Sequence, residues 1–256
     1  MKRIAVKIAY LGDEFAGSQI QPDLRTVEGE VLSNLTAIKN CDEPDMKCAS
    51  RTDRGVNALG NVVVFNTDFN DNDVLLKALN AVSKGVCYRS AATVDKDFNP
   101  RHADERVYRY ILPADGINVE KAKECASLFV GEHDFIRFCK ADDKPTVMNM
   151  HSVTVNEGEE VLIIEFRSEY FLWNQIRRIA SAISSVGRGE MSVDAVRDAL
   201  NGRPISIGPA RPDALTLIDV IYNDIEFITP AADLFSEKIK EELFVYSLRN
   251  EFFNSL

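Results

Sequence analysis

Short stretches of alternating or continuous apolar residues recur along the chain, as they do in half-buried or buried β-strands. In the first of them, Ile4, Val6 and Ile8 share one face of a strand. The segments with such a pattern are 3–10, 60–66, 86–94, 106–112, 151–156, 160–167 and 215–222. The turn residues Glu157 and Gly158 predict that two of these strands form a hairpin.

Other segments repeat their apolar residues every three or four positions, the period of a helix with one buried face. The strongest pattern predicts a helix over about 171–186. Its apolar face would hold Leu172, Ile176, Ile179, Ile183 and Val186. Thr26 is a suitable N-cap for another helix. These further helices are predicted over 27–39, 74–82, 118–130 and 192–201.

The mixture of strands and helices, without repeats or low-complexity tracts, predicts an α+β fold with a mixed or antiparallel sheet. We expect two α/β subdomains that share this sheet and meet at a central cleft, one over 1–105 and the other over 106–227. Residues 228–256 form an acidic extension that is expected to be helical.

The composition narrows the class of protein. The chain has 256 residues, of which 45% are hydrophobic and 27% charged, as in a folded globular protein. No apolar run approaches the roughly 18 residues of a membrane-spanning helix, and the N-terminus MKRIAVKIAY lacks the apolar core of a signal peptide. The five cysteines are odd in number and include no CxxC pair. They indicate reduced thiols and a cytoplasmic location rather than disulfides or a zinc site.

The net charge of −10 argues against a nucleic-acid ligand if the charge is evenly spread. The sequence shows that it is not. Residues 171–211 contain six arginines and three acids, whereas residues 224–256 contain seven acids and three bases. A basic face on an acidic body is therefore compatible with RNA binding.

Several common catalytic signatures are missing from the sequence. GxxxxGK(S/T), HExxH, GxSxG and GxGxxG do not occur. Their absence disfavours nucleotide hydrolases, zinc peptidases, lipase-like hydrolases and dinucleotide-dependent redox enzymes. The three histidines lie near no Ser or Cys motif, which disfavours a nucleophilic triad.

The polar loop 49–58 carries Asp53 between Arg51 and Arg54, just before a predicted strand. Such a loop can be an ordinary surface turn, in which Asp and Gly are common. Alternatively, the two cations favour an ionised carboxylate that is available as a nucleophile or base.

Two further blocks combine aromatic and basic residues. In the fourth predicted strand, Tyr108 and Tyr110 share a face, either in a half-buried strand or as a stacking platform for a nucleobase. In the second case Arg106 and Arg109 would lie near its phosphate. On the strongest helix, Arg177 either points to solvent or lies at the edge of the core, where it needs a partner such as a carboxylate.

These three blocks resemble motifs of the TruA family of tRNA pseudouridine synthases. The family's catalytic loop reads like GRTDxGVHA and is matched by residues 50–58. Its R-x-Y-x-Y and FLxxxVR motifs are matched by 106–110 and 171–177. Weaker matches follow the family order, so that the resemblance covers about residues 1–227; they lie at 10–22, 97–101, 131–135 and 214–222. Ser50 in place of Gly and Asn57 in place of His suggest the archaeal or eukaryotic-like branch.

The resemblance implies a pseudouridine synthase fold and an isomerisation of uridine that needs no metal or cofactor. It implies Asp53 as the catalytic carboxylate and Arg177 as its ion-pair partner. Tyr108 would stack on the target uracil and assist proton transfer at C5. The residues implied in substrate binding are Arg51, which would fill the space of a flipped-out base, Leu217, which would pack on the opposite ring face, and Tyr110, Arg106 and Arg101.

Three routes remain open: attack of Asp53 on uracil C6, attack on ribose C1′, and abstraction of the 2′ proton to give a glycal. The resemblance to the family favours the glycal route. The resemblance also implies a homodimer with tRNA as its partner, modified at positions 38–40 of the anticodon arm. One alternative is a non-catalytic tRNA-binding or chaperone paralogue, which would not need Asp53. The other is a glycosidase, which would need a second acid that the motif blocks lack.

Overall fold

The computed structural model describes residues 1–38, 45–141 and 145–230 and, in the C-terminal segment, 243–245, 247–250 and 252. The strands in these ranges are β1 (Lys2–Tyr10), β2 (Lys47–Cys48), β3 (Asn57–Thr67), β4 (Cys87–Val94), β5 (Glu105–Pro113), β6 (Gly131–Asp134), β7 (Val147–Met150), β8 (Ser152–Glu157), β9 (Val161–Ser168) and β10 (Leu215–Ile221). The helices are α1 (Val27–Ala37), α2 (Asn72–Val82), α3 (Val119–Ser127), α4 (Gln175–Gly187) and α5 (Val193–Leu200), with a 3₁₀ turn at Gly12–Glu14. The described residues beyond 242 are helical.

An eight-stranded sheet forms the centre of the molecule. Its strand order is β4-β1-β3-β10-β5-β9-β8, and the short strand β2 pairs with β3. Neighbouring strands are antiparallel except for β3 and β10, which run parallel. β6 and β7 form a separate two-stranded sheet. The predicted α+β fold with a mixed sheet is confirmed.

The last strand joins the two halves of the chain. On one side of β10, Thr216 pairs with Asn57 of β3, and on the other side Leu217 pairs with Tyr108 of β5. β10 therefore lies between the strands of the first half and those of the second. After β10 the chain returns to the first half, where Ile228 pairs with Ala91 of β4.

The helix with the strongest sequence pattern buries the face that the pattern predicts. All five residues of the predicted apolar face of α4 are buried. Thr26 Oγ1 accepts a hydrogen bond from Gly29 N, which confirms the predicted cap of α1. α2 begins at Asn72 rather than at 74, because Asp71 accepts hydrogen bonds at its N-terminus. α3 packs on α4 and β8, whereas α2 packs on β4 and α1.

Two other boundaries differ from the prediction. α4 begins at Gln175 rather than near 171, because Asn174 adopts a left-handed backbone conformation with φ of 60°. β3 begins at Asn57 rather than at 60, because its first residues pair with β10. The strands β2, β6 and β7 were not predicted from the sequence, since segments of two to four residues are too short to show a period.

Several chemical features can be stated for the described ranges. None of the cysteines there forms a disulfide, and Cys41 lies outside these residues. None of the helices there has the length and apolar character needed to cross a bilayer. No three or more His, Cys, Asp or Glu side chains there are grouped so that they could hold a metal ion.

Candidate active site

A cavity of about 770 Å³ opens where the loop before β3, strand β5 and the start of α4 meet. We call it the central cavity, and we call residues 49–56 the Asp53 loop. Six of the eight predicted site residues line the central cavity: Asp53, Tyr108, Arg177, Arg51, Arg101 and Arg106. Tyr110 and Leu217 lie outside its wall.

Hydrogen bonds from buried side chains fix the Asp53 loop. Thr52 N donates to Ser18 Oγ at 2.8 Å, and Ser18 N donates to Thr52 O at 3.0 Å. The Thr52 hydroxyl lies 2.8 Å from the hydroxyl of Tyr10. Burial raises the pKa of Tyr10 above its usual value, so this phenol stays neutral. The residue before Asp53 is therefore held from both sides.

Close backbone contact with the 3₁₀ turn holds the other end of the Asp53 loop. Gly55 N donates to Gly12 O at 3.2 Å, and Gly55 itself has a φ of +85°, which favours glycine. A Cβ on Gly12 would lie 2.4 Å from Gly55 C and from Val56 O. Asn57 reinforces the contact, because its Oδ1 accepts from Gly12 N and its Nδ2 donates to Asp213 O, each at 2.9 Å.

The structure brings Asp53 and Arg177 together across 124 residues of sequence. Arg177 Nη1 lies 3.5 Å from Asp53 Oδ2. The guanidinium is fixed by two further hydrogen bonds, from Nε to Ala210 O at 2.6 Å and from Nη1 to Asn174 Oδ1 at 3.2 Å. The Asp53 side chain is 42% exposed and that of Arg177 only 15%. The carboxylate is thus open to the cavity, while its partner is anchored in the wall.

Tyr108 forms a nearly buried part of the cavity wall. Its ring packs edge-on against Phe171, with 5.2 Å between ring centroids. Burial raises the pKa of Tyr108 to about 12, and the charge of Asp53 acts in the same direction, whereas Arg106 and a hydrogen bond with Ser50 oppose them. At neutral pH the hydroxyl therefore carries its proton.

Arg106 lines the cavity, but each of its side-chain nitrogens donates a hydrogen bond to an oxygen of the protein. Nε donates to Ser50 Oγ at 2.9 Å, and Nη2 donates to Ala49 O and Arg101 O, each at 3.0 Å. Nη1 donates to Glu169 O. With these partners the buried guanidinium holds the Asp53 loop against β5.

Tyr110 and Leu217 are fully buried. Tyr110 donates its hydroxyl hydrogen to Arg211 O at 2.9 Å, and burial raises its pKa to about 12. The residue that β10 contributes to the cavity wall is Leu215, two positions before Leu217. Leu215 is therefore the β10 side chain that is placed to touch a ligand in the cavity.

The arginine-rich segment 171–211 contributes little positive charge to the wall of the central cavity. Arg177 is its only arginine in the wall formed by the described residues. Three others pair with nearby acids, as Arg197–Asp194, Arg203–Asp198 and Arg211–Asp213. The exposed cations of the cavity come instead from Arg51 and Arg101.

Comparison with known proteins gives a consistent result. Residues 125–223 match the family model described as tRNA pseudouridine synthase. The tRNA pseudouridine synthase A of Pyrococcus abyssi is 42% identical over 94% of this chain and 92% of that protein. The chain belongs to the tRNA pseudouridine synthase family. The protein of the same name from Archaeoglobus fulgidus is 36% identical over 89% of this chain and 86% of its own length.

These relatives are archaeal, as the departures from the bacterial motif suggested. Among solved structures, the archaeal box H/ACA sRNP Nop10-Cbf5 complex has 12% identity and a TM-score of 0.37, over 71% of this chain and 43% of that one. The synthase is an isomerase, and the predicted family is confirmed.

Two polar residues of the synthase site were missed in the sequence. Asn61 is fully buried in β3, where its side chain accepts from Ser50 N at 3.2 Å and donates to Ser50 O at 3.0 Å. The available signal was an Asn directly before the apolar run VVVF. Gln175 is fully buried in the cavity wall; its Oε1 accepts from Leu172 N at 2.8 Å, and its Nε2 has no hydrogen-bond partner among the residues that the structure describes.

Proposed function

We propose that the synthase isomerises uridine in the central cavity with Asp53 as the catalytic carboxylate. Asp53 is the only acidic residue among the described residues that line the cavity, and this observation carries the proposal. A glycosidase would need two carboxyl groups across the scissile bond. A single carboxylate is enough for an isomerisation in which the base never leaves the site.

The reaction breaks the N1–C1′ bond, turns the uracil and joins C5 to C1′. An ionised Asp53 can attack C6 or C1′, or it can take the 2′ proton to give a glycal, and each route then needs the C5 proton removed. Arg177 orients the carboxylate through their ion pair. Tyr108 stacks on the uracil and, as a neutral phenol, can relay a proton at C5. Leu215 lies in the wall where the other ring face would pack.

The proposed substrate is the anticodon arm of tRNA, modified at positions 38–40. A uridine in a stacked stem must leave the helix to reach Asp53. Arg51 is exposed at the cavity and would fill the space that the base leaves, while Arg101 would contact phosphate. We also propose that the synthase acts as a cytoplasmic homodimer.

The test compares wild-type protein with Asp53→Asn on unmodified tRNA transcripts, with pseudouridine mapped by carbodiimide-dependent primer stops. The amide keeps the shape of the side chain but removes its charge and nucleophile, so turnover should vanish while tRNA affinity is retained. Asp213→Asn is the matched control, because Asp213 also pairs with an arginine but lies outside the cavity wall.

Asp53→Asn with more than a few per cent of the wild-type rate would show that another group is the catalyst. The primer stops also give the modified positions directly. Stops confined to a different arm of the tRNA would refute the anticodon assignment and leave the assignment of Asp53 intact.

A further inference from the structure

Two large aromatic side chains at the rim of the central cavity are exposed. Trp173 is 47% exposed and Tyr170 is 41% exposed, and both line the cavity. The molecule has other exposed apolar side chains, but here two aromatic rings from one short segment share a cavity mouth. Apolar surface gathered at such a mouth is typical of a ligand contact.

The segment that carries these rings is held in place. Lys140 N donates a hydrogen bond to Trp173 O at 2.8 Å. Between the two exposed rings, Phe171 packs inward against Tyr108, with 5.2 Å between ring centroids. The exposure is therefore a feature of the fold, and the rings are positioned before any ligand arrives.

Cations accompany the two rings. Lys140 Nζ lies 3.7 Å from the centre of the Trp173 ring, a cation–π contact. Arg51 and Arg101 line the same cavity and are exposed, and neither forms an ion pair within the part of the chain that the structure describes. Aromatic rings beside available cations match the two parts of a nucleotide, its base and its phosphate.

We propose that Trp173 and Tyr170 form a stacking platform for a nucleobase adjacent to the target uridine. The platform lies at the rim, outside the position that Asp53 and Tyr108 define for the uracil. This inference rests on the proposed function, which brings RNA into the central cavity. When the target uridine leaves the helix, its neighbour loses a stacking partner, and an aromatic side chain replaces that contact.

Trp173 is the sole tryptophan of the chain, so its fluorescence reports on the platform directly. We expect an unmodified tRNA transcript to quench this fluorescence when titrated into the full-length protein, because a base stacked on an indole quenches its emission. Transcripts with an abasic site immediately before or after the target uridine identify the stacked base. One of the two should bind without quenching.

Substitution gives an independent measurement. Trp173→Ala should weaken tRNA binding about tenfold, whereas Trp173→Phe keeps a stacking ring and should retain most of the affinity. Leu59→Ala is the matched control, because Leu59 is also 47% exposed but does not line the cavity. The affinity of this variant for tRNA should equal that of the wild type. Thermal unfolding of each variant establishes that the fold is intact.

Unchanged Trp173 fluorescence in a wild-type protein that binds and isomerises tRNA would overturn this inference alone. A folded Trp173→Ala variant that binds tRNA as tightly as Leu59→Ala would do the same. A wild-type protein that neither binds nor isomerises any tRNA transcript would overturn the proposed function and the platform with it.

Discussion

Arg106 and Arg177 show how far a sequence can describe a charged side chain. Both belong to sequence motifs that predict a role in the site, and both line the central cavity. The resemblance predicts that Arg177 pairs with Asp53, but it does not predict the backbone acceptors that fix the two guanidinium groups, which lie far away along the chain: Arg106 donates to Ala49 O and Arg177 to Ala210 O. Only the folded chain shows which nitrogens of each arginine donate to backbone carbonyls.

Leu215 and Leu217 make the same point for an apolar contact. Alternation along β10 places both leucines on one face of the strand. Periodicity therefore does not predict which of them contacts the cavity, since that depends on where the strand begins relative to the Asp53 loop. The resemblance favoured Leu217, whereas Leu215 is the one in the cavity wall.

At the scale of single residues, we predict the effect of removing the Arg51 side chain. If Arg51 fills the space of the flipped base, Arg51→Ala should slow single-turnover modification by about tenfold or more, with a smaller loss of affinity, because unstacking a base costs a few kcal/mol. A substrate with an unpaired target uridine should partly restore the rate. Single-turnover kinetics and affinity are measured on paired and unpaired targets.

The opposite pattern would reassign the residue. An Arg51→Ala defect that appears only in affinity, with a normal single-turnover rate at saturation, would make Arg51 a phosphate anchor. An equal defect on paired and unpaired targets would likewise argue against a role in flipping.

Among the elements, long periodic segments were predicted well, and their ends less well. The buried face of α4 follows from its heptad-like spacing, but the start of the helix does not. The predicted helix over about 171–186 includes residues 171–174, yet these line the cavity wall, and the left-handed Asn174 precedes the first helical residue. Tertiary contact overrides local preference at this position, which is also where the site is built.

The contact between the 3₁₀ turn and the Asp53 loop leads to a prediction for Gly12→Ala. The added Cβ would lie 2.4 Å from backbone atoms of Gly55 and Val56, so one of the two segments must move. We expect the free energy of unfolding to fall by about 1–3 kcal/mol. kcat/KM should also fall, because Asp53 moves with its loop. Urea denaturation and steady-state kinetics measure the two effects.

Gly208→Ala serves as the control, because a Cβ on Gly208 would meet nothing within 4 Å. It should leave stability and activity near wild-type values. If Gly12→Ala behaved like Gly208→Ala, the close packing of the turn against the loop would not matter for the site.

For the whole molecule, buried tyrosines link stability to pH. Burial raises the pKa of Tyr108 and Tyr110 to about 12 and raises that of Tyr10 and Tyr222 above its usual value. The folded state therefore holds these protons more tightly than the unfolded state, whose tyrosines titrate near pH 10. This contribution is complete below about pH 10 and is lost as the pH rises towards about 12.

We accordingly expect the urea midpoint of the protein to fall steeply between about pH 10 and pH 12. Tyr110→Phe removes one of the linked protons and should make this fall shallower. Midpoints are measured by circular dichroism at several pH values for both proteins. An unchanged midpoint up to about pH 12 would contradict the tight burial of these phenols.

The distribution of charge, rather than its sum of −10, should govern RNA binding. Arginines that already pair with acids release no counterions, so the salt dependence should come from the exposed cations at the cavity.

We expect the logarithm of the tRNA association constant to fall linearly with the logarithm of salt concentration. Arg101→Ala should lower the magnitude of the slope by about 0.7–0.9, the range for one phosphate contact in single-stranded and duplex nucleic acid. Arg203→Ala, which removes an arginine paired with Asp198 outside the cavity wall, should leave it unchanged. Arg51→Ala should also leave it nearly unchanged if Arg51 replaces a base rather than binding phosphate. Association constants over a series of salt concentrations decide among these outcomes, and a slope near zero for the wild type would mean that the cavity holds no RNA backbone.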